Sequence, residues 1–341
     1  MQYLAYLGTD SVRGSRGIYT VSLDADTGAL TCLGTVPAQD SGYLSLSPDG
    51  KTLYATIESM ILDGKSQGGV AAYRIGADGL PVYLNHQGAE GQLICHVSCG
   101  DGVVYASSYL DGTVSIFPVA ADGSLMPCEK VIRHTGKDGY PPHIHCAKLT
   151  ADGKYLCVVE VGYHALCLYD TESYEKQFEI RTKPVRPRQV VCTEQCVYLL
   201  TEGGMTVDVY AYAPDGAEKL TLRQSLSCLP EGFRGMGGAG GIRLSPDGKT
   251  IFASIRGVDV MAVFAMGADG LLEKRSVTKL CGSTPRDFGV APDGTHLLVG
   301  LQKADSMAVY AYDPDSGNIT LETEGFQIPS CSCVEFGRCG G

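Results

Sequence analysis

The nonapeptide SPDGKTLYA, residues 47–55, decides the fold of this chain, because close copies of it recur along the sequence. The copies are GDGVVYAS (100–107), TADGKYLCV (150–158), SPDGKTIFA (245–253) and APDGTHLLV (291–299). Asp-Gly between alternating apolar residues is the strongest short-range signal for a β-hairpin. The repeated aspartates, at positions 49, 101, 152, 247 and 293, are 52, 51, 95 and 46 residues apart, and the double gap holds a degenerate copy, TEQCVYLL (193–200). A repeat of about 50 residues built from short strands predicts a β-propeller with one sheet per blade.

The number of repeats predicts seven blades. We expect second strands near residues 3, 52, 103, 155, 197, 250 and 296, third strands near 17, 69, 112, 164, 206, 260 and 306, and inner strands near 43, 93, 143, 188, 241 and 286. The first blade then lacks an inner strand, which CSCVEF (331–336) can supply by pairing with YLAYL (3–7). Such closure removes an open sheet edge. We therefore predict an all-β, seven-bladed β-propeller with four antiparallel strands per blade, the first blade closed by the C-terminal strand.

The unbroken repeat also predicts a single domain over residues 1–341, since no linker or low-complexity segment interrupts it. The alternative is a two-sheet sandwich, which one continuous repeat of this length disfavours. The chain contains no Trp, so the blades are not of the WD40 type, whose signature includes Trp-Asp.

Charge and hydropathy restrict the possible partners of the protein and its cellular compartment. The chain carries 27 basic and 38 acidic residues, a net charge of −11, which argues against nucleic acid and against an anionic membrane surface. The N-terminal MQYLAYLGTD lacks a basic region followed by a long apolar run, and no apolar stretch approaches the length of a membrane span. We expect a soluble cytoplasmic protein, a monomer or weak homodimer.

The fourteen cysteines suggest neither disulfides nor a metal site. Most lie inside predicted strands, where a free Cys behaves as a small buried hydrophobe, and no pair of CxxC motifs occurs at zinc-site spacing. His143 and His145 lie two residues apart on one strand face and could share a metal, but a third ligand is not evident. We therefore predict structural thiols in a reducing compartment, no metal and no cofactor.

Polar residues fall at matching ends of the predicted strands. Because a propeller blade meanders outward, the start of an inner strand and the end of the next strand lie at the same end of the central channel. The second strands end at Glu58, Tyr109, Glu160, Glu202, Arg256 and Gln302, and the inner strands start at Tyr43, His96, His143, His145, Arg188 and Arg286. This register predicts a ligand pocket at the channel mouth. For any one of these charges, an ion pair between blades remains an equal alternative.

At these residues the chain resembles the lactonase family of seven-bladed propellers, which includes 6-phosphogluconolactonase and the carboxy-muconate cyclising enzyme. The likeness spans essentially the whole chain. Its most specific stretches are PPHIHCAKLTADGKYLCVVEVGYHALCLY (141–169), RPRQVVCTEQCVYLLTEGGMTVDVY (186–210), SPDGKTIFASIRGVDVMAVF (245–264) and TPRDFGVAPDGTHLLVGLQKADSMAVY (284–310). They are similar to the family's Pro-His-x-His, Pro-Arg-His with Asn-Glu, Asn-Arg-Gly-x-Asp and Pro-Arg-Asp-Phe signatures.

The resemblance implies a catalytic set and a substrate-binding set. The catalytic set is His145, Arg188, Glu202 and Arg256, and the residues expected to bind substrate are His143, Arg286, Glu160, Glu58, Tyr109 and Gln302. The chain departs from the family where Gln189 replaces His, Thr201, Ile255 and Ser108 replace Asn, and Glu160 replaces Asp. The loop GFRGMGGAGGI (232–242) also lacks a Glu that often precedes the following strand. These departures bear on the identity of the substrate and not on the fold.

The implied activity is metal-independent hydrolysis of 6-phosphogluconolactone in the oxidative pentose phosphate route. Glu202 is the candidate general base, the arginines are candidates for binding the oxyanion or a substrate anion, and His145 is the candidate proton donor. The Gly-x-Ser-x-Gly pattern occurs once, as GKSQG (64–68), in the connection between two predicted strands and not at a strand-to-helix elbow, which disfavours a serine esterase. Two alternatives stay open: a lactonase or cycloisomerase acting on another carboxylated lactone of the muconolactone type, and a non-catalytic binding platform.

Overall fold

The computed structural model describes residues 1–62, 64–183 and 185–337, and nearly all its secondary structure is β. The strands begin with β1 (Gln2–Thr9), β2 (Gly17–Asp24), β3 (Leu30–Pro37), β4 (Leu44–Leu46), β5 (Thr52–Leu62), β6 (Lys65–Ile75), β7 (Pro81–Gly88), β8 (Ile94–Gly100), β9 (Val103–Ser108), β10 (Thr113–Pro118), β11 (Lys130–Arg133), β12 (Ile144–Leu149), β13 (Tyr155–Glu160) and β14 (Ala165–Asp170). They continue with β15 (Lys176–Arg181), β16 (Pro187–Cys192), β17 (Cys196–Thr201), β18 (Thr206–Tyr212), β19 (Leu220–Ser227), β20 (Gly238–Leu244), β21 (Thr250–Arg256), β22 (Val260–Met266), β23 (Leu272–Lys279), β24 (Pro285–Val290), β25 (His296–Leu301), β26 (Ser306–Asp313), β27 (Asn318–Gln327) and β28 (Cys331–Phe336). A short 3-10 turn covers Gln302–Ala304.

Within the described residues these strands form seven four-stranded antiparallel sheets. Six sheets take consecutive strands, namely β4 to β7, β8 to β11, β12 to β15, β16 to β19, β20 to β23 and β24 to β27. The seventh has the order β28-β1-β2-β3, and just beyond β28 the Gly337 amide donates to the Leu4 carbonyl at 2.8 Å. The seven-bladed β-propeller is confirmed, including closure of the first blade by the C-terminal strand.

By its internal contacts the chain divides into two compact units. The first comprises residues 1–5 and 21–31 and those from 185 onward, and the second comprises residues 6–20 and 32–183. In the first unit, Leu200, Val207 and Ile255 belong to one fully buried apolar cluster. In the second unit, Val114 and Val158 belong to a separate buried apolar cluster. Each unit thus has its own core, and the single domain over 1–341 stays a prediction.

The repeated turns work as hairpin chemistry. In the first copy, Asp49 Oδ1 accepts hydrogen bonds from Ser47 Oγ at 2.6 Å and from the Lys51 amide at 3.1 Å. Gly50 follows with φ +72°, a conformation that glycine adopts without strain. The turn of the degenerate copy is shorter. Its Thr193 amide donates to the carbonyl of Cys196, only three residues further on, at 2.9 Å, and the turn contains no glycine. This repeat therefore lacks the Asp-Gly pair of the other copies but still forms the following strand.

The second blade departs from the predicted boundaries. Its third strand was expected near residue 69, but β6 begins at Lys65 and β5 runs on to Leu62. Beyond a register shift after Ile57, pairing resumes at Met60 with Gln67 and Ile61 with Ser66. Glu58 therefore lies inside a strand, and its prediction as a strand-end residue is wrong. The hairpin extension was missed because a register shift leaves no simple alternation to read.

Buried tyrosines join neighbouring sheets through their hydroxyl groups. Tyr198 on β17 donates to the carbonyl of Gly270 in the outer turn of the next sheet, at 2.8 Å. In the second unit, Tyr6 and Tyr54 make the same bond to Gly79 and Gly123, each at 3.0 Å. Burial raises the pKa of Tyr6 to about 12, so its hydroxyl keeps the donated proton at physiological pH.

We expect Tyr198→Phe to lower the free energy of unfolding by about 1–3 kcal/mol, because the buried Gly270 carbonyl loses its donor while the packing stays. Urea unfolding followed by far-UV circular dichroism measures the loss. Tyr140→Phe is the matched control, since Tyr140 is 52% exposed and its change should stay within about 0.5 kcal/mol. Equal effects of the two substitutions would contradict the role of the Tyr198 bond.

Candidate functional site

Three residues of the candidate site lie in β-bulges at the starts of inner strands. Where β12 pairs with β13, β16 with β17 and β24 with β25, the register shifts by one residue near the start of the inner strand. The residues left out of the pairing are His145, Arg188 and Arg286. A bulge re-aims the side chain of its extra residue, and bulges are frequent next to active sites. The backbone thus sets these three side chains apart from the regular alternation of their strands.

In the first unit, three arginines surround the carboxylate of Glu202, which follows β17. Glu202 Oε1 accepts a hydrogen bond from Arg256 Nη2 at 2.6 Å and lies 3.9 Å from Arg188 Nη1. Glu202 Oε2 lies 3.5 Å from Arg186 Nη2. The structure therefore brings together three of the four predicted catalytic residues: Arg188, Glu202 and Arg256.

Backbone carbonyls of β20 orient two of these guanidinium groups. Arg188 Nε donates to the Gly240 carbonyl and Arg256 Nε to the Ala239 carbonyl, each at 2.8 Å. The Arg188 side chain is 5% exposed, whereas Glu202 and Arg256 are each 19% exposed. Both forks are held at Nε, so their terminal nitrogens face the carboxylate in a fixed direction.

The electrostatics of this group favour anions. Burial alone would raise the pKa of Glu202, but Arg188, Arg256 and Arg186 together hold its pKa below the usual value. The pKa of Arg256 is lowered by its burial and then by the charge of Arg286, so the charge of Arg286 acts on the same group. Three guanidinium groups around one carboxylate leave an excess of two positive charges. Such a group suits a carboxylate or phosphate ligand.

Arg186 was missed by the sequence reasoning. It precedes β16, is 53% exposed, and has a left-handed φ of +53°. The predicted pocket residues lie at the ends of second strands and the starts of inner strands, whereas Arg186 lies just before β16. Its position two residues ahead of Arg188 in RPR was the signal available.

In the second unit, Tyr109 packs against His143 and His145. The rings of Tyr109 and His143 stack at 4.5 Å between centroids with 4° between planes, and His145 meets Tyr109 edge-on at 6.1 Å. His143 Nδ1 lies 2.7 Å from the Tyr109 carbonyl, which can only accept, so Nδ1 carries a proton. This bond fixes the tautomer of neutral His143 and leaves Nε2 as its acceptor.

Glu160, predicted to bind substrate, is fully buried and accepts hydrogen bonds from the backbone. Its Oε1 accepts from the amides of His143 at 2.7 Å and Gly162 at 2.8 Å, and its Oε2 lies 2.7 Å from His134 Nδ1. His134 Nε2 in turn lies 2.8 Å from the Tyr169 hydroxyl. Both carboxylate oxygens are used inside the protein, and the role of Glu160 in substrate binding stays a prediction.

We expect His134→Leu to lower the free energy of unfolding by about 1–3 kcal/mol, because it leaves Oε2 of the buried Glu160 without the imidazole as hydrogen-bond partner. The shift in urea midpoint measures it. His86→Leu is the control, since His86 is exposed and should have almost no effect. A small loss in His134→Leu would mean that the pair contributes little to stability.

For the two remaining predicted residues, Gln302 and Glu58, the contacts described are those of the backbone. Gln302 opens the 3-10 turn, and its amide donates to the Thr284 carbonyl at 3.0 Å. The Glu58 carbonyl accepts from the Leu93 amide at 2.9 Å inside the extended hairpin of the second blade. Neither observation assigns the side chain to a ligand, so their roles in substrate binding stay predictions.

The described part of the chain holds no group of three or more His, Cys, Asp or Glu side chains able to bind a metal ion. The described cysteines are free thiols. Among the same residues, no helix is long and apolar enough to cross a membrane.

Comparison with known proteins gives consistent matches over the whole chain. The family model described as lactonase, 7-bladed beta-propeller, matches residues 4–336. A 6-phosphogluconolactonase of Bacillus subtilis is 30% identical over 354 residues, 98% of each chain, and an uncharacterised protein of Lactococcus lactis subsp. cremoris is 31% identical over 343 residues, 96% of this chain and 97% of its own. Among solved structures, the periplasmic gluconolactonase of Pseudomonas aeruginosa has a TM-score of 0.90 and 27% identity, with 99% of both chains covered.

Proposed function

The chain belongs to the lactonase family of seven-bladed β-propellers, and from this we propose that it hydrolyses 6-phosphogluconolactone to 6-phosphogluconate. The observation that carries the proposal is the set of Arg186, Arg188 and Arg256 around the carboxylate of Glu202. Guanidinium groups bind carboxylate and phosphate through paired hydrogen bonds. In a chain of net charge −11, a local excess of positive charge supports an anionic substrate.

In the proposed reaction Glu202 is the general base. It takes a proton from a water molecule whose oxygen attacks the lactone carbonyl carbon. Arg188 and Arg256 stabilise the oxyanion that forms on the carbonyl oxygen. The bond between that carbon and the ring oxygen then breaks, and the ring oxygen takes up a proton and becomes a hydroxyl group. The proposal assigns this proton to His145 on the family resemblance alone.

A lactone without phosphate is the second candidate. The same guanidinium groups suit the carboxylate of a muconolactone-type substrate, and a structural neighbour is named as a gluconolactonase. Because the arginines recognise an anion rather than a particular ring, the substrates have to be compared directly. For this second candidate the general base and the oxyanion site keep their roles, and the substrate group bound by the arginines is a carboxylate in place of a phosphate.

The test is hydrolysis of 6-phosphogluconolactone, glucono-δ-lactone and a carboxylated muconolactone, each followed by proton release at constant pH. We expect 6-phosphogluconolactone to disappear well above its spontaneous rate, with no change on adding EDTA. Faster turnover of another lactone would overturn the assigned substrate but keep the reaction class. If all three lactones were hydrolysed only at their spontaneous rates, while calorimetry still showed binding of 6-phosphogluconate, the protein would be a binding platform and not an enzyme.

A further inference from the structure

Two adjacent glycines occupy the place where neighbouring inner strands carry arginine. In the pairing of β20 with β21, Ala239 lies opposite Ile255 and Ile242 opposite Ala253, so Gly240 and Gly241 together face Ser254. The corresponding bulges of β16 and β24 leave Arg188 and Arg286 out of the pairing. The reaction proposed above gives no role to the glycine-rich loop (232–242). The bulge at the end of this loop, Gly240–Gly241, suggests a role for it.

Space, rather than backbone conformation, requires both glycines. A Cβ on Gly240 would overlap the Pro285 carbonyl oxygen and Ser254 Oγ, and a Cβ on Gly241 would overlap Asp287 Oδ1. Neither residue has a left-handed φ. The bare backbone lets the start of β24 lie directly against the bulge.

Ser254 fastens this bulge with both of its hydrogen-bonding functions. Its hydroxyl accepts from the Gly241 amide at 2.9 Å and donates to the Pro285 carbonyl at 3.0 Å, and the side chain is fully buried. The peptide fixed in this way carries the Gly240 carbonyl, which accepts from Arg188 Nε at 2.8 Å. A chain of three hydrogen bonds thus runs from β24 through Ser254 and the bulge to Arg188.

We propose that Ser254 is a positioning residue: through the Gly240–Gly241 bulge it fixes the direction of the Arg188 guanidinium group towards the substrate anion. The kinetic part of this inference rests on the proposed lactonase function. Small displacements of a positioned group are costly, because a shift of about 1 Å can lower a rate about 100-fold.

The kinetic test is Ser254→Ala, with Ser245→Ala as matched control. Ser245 Oγ also accepts from a backbone amide, that of Thr250, at 2.9 Å, and it lies in the turn between β20 and β21. We expect S254A to lower kcat/KM about 10- to 100-fold and S245A to leave it unchanged. In an Arg188→Met background S254A should have no further effect, because the residue it positions is gone. An equal effect in both backgrounds would overturn the proposal.

A second measurement does not depend on lactone turnover. The Nε–H signal of Arg188, assigned by its loss in Arg188→Met, should exchange slowly with solvent in the parent and in S245A, and faster in S254A. Unchanged exchange in S254A would overturn the positioning role even if no lactone were hydrolysed, whereas faster exchange without turnover would refute only the proposed function. Should S254A fail to fold, Ser254→Cys fills the same space with a weak hydrogen-bonding group and takes both tests.

Discussion

Replacing Glu202 with glutamine is expected to lower kcat by about 10²–10⁴-fold, because the amide cannot take the proton from the attacking water. Glutamine keeps the size of the side chain and can still accept from Arg256 through its carbonyl oxygen, so the guanidinium groups should stay close to their positions. The measurement is kcat for 6-phosphogluconolactone at pH 7. Glu194→Gln removes the same charge from an exposed position before β17 and should not change kcat.

The pH dependence of the parent follows from the arginines around Glu202. Its pKa is lowered, so the carboxylate stays ionised above its ordinary pKa of about 4.3 and is protonated only as the pH falls through the lower folded value. Activity that depends on the base should therefore persist into mildly acidic solution. The ion pairs of Glu202 stabilise the fold over the same range and are lost below it. An acid limb near neutrality would point to a different group, such as a histidine.

A loss of less than tenfold in Glu202→Gln would remove Glu202 as base. Its contacts would then be read as fixing the arginines, and KM rather than kcat should respond. The two roles are separable because a base acts only in the chemical step, whereas an anion site made of misaligned arginines also weakens binding of 6-phosphogluconate.

The repeat predicted the blades because each turn has a local cause: Asp49 caps its own turn and Gly50 supplies the left-handed φ. The grouping of Arg188, Glu202 and Arg256 was predictable as well, since the fold brings equivalent strand ends together. The one-residue bulge that leaves Arg188 out of the strand pairing was not, because a register shift depends on the partner strand. The burial of Glu160 was not either, because its partner His134 lies in a connection that carries no repeat signal.

Ser254 shows the same limit from another direction. In the sequence it is one polar residue inside an apolar strand, SPDGKTIFASIRG, and nothing in its spacing marks it. Its importance comes from the two glycines that face it and from the Pro285 carbonyl of a strand that is distant in sequence. Residues that act by holding others become visible only when hydrogen bonds are traced outward from the charged groups.

The second large effect is expected in Arg256→Met, which should lower kcat/KM by about 10²–10³-fold. The substitution removes a guanidinium group that binds Glu202 at 2.6 Å and the Ala239 carbonyl at 2.8 Å. It also removes one of the charges that lower the pKa of Glu202, so the acid limb of the rate profile should move to higher pH. Both changes have one cause, and both are read from kcat/KM between about pH 3 and 8, since the acid limb of the parent lies below the ordinary pKa of Glu.

The matched control is Arg275→Met, which makes the same change in net charge at an exposed position on β23, where Arg275 donates to the Asp315 carbonyl at 3.0 Å. It should leave both the rate and the acid limb unchanged. Arg256→Lys should recover little activity, because an ammonium group cannot donate to Ala239 and Glu202 with the geometry of a planar fork. If lysine restored the parent rate, Arg256 would act as a simple positive charge. If methionine left the acid limb in place, the arginine would not govern the ionisation of Glu202.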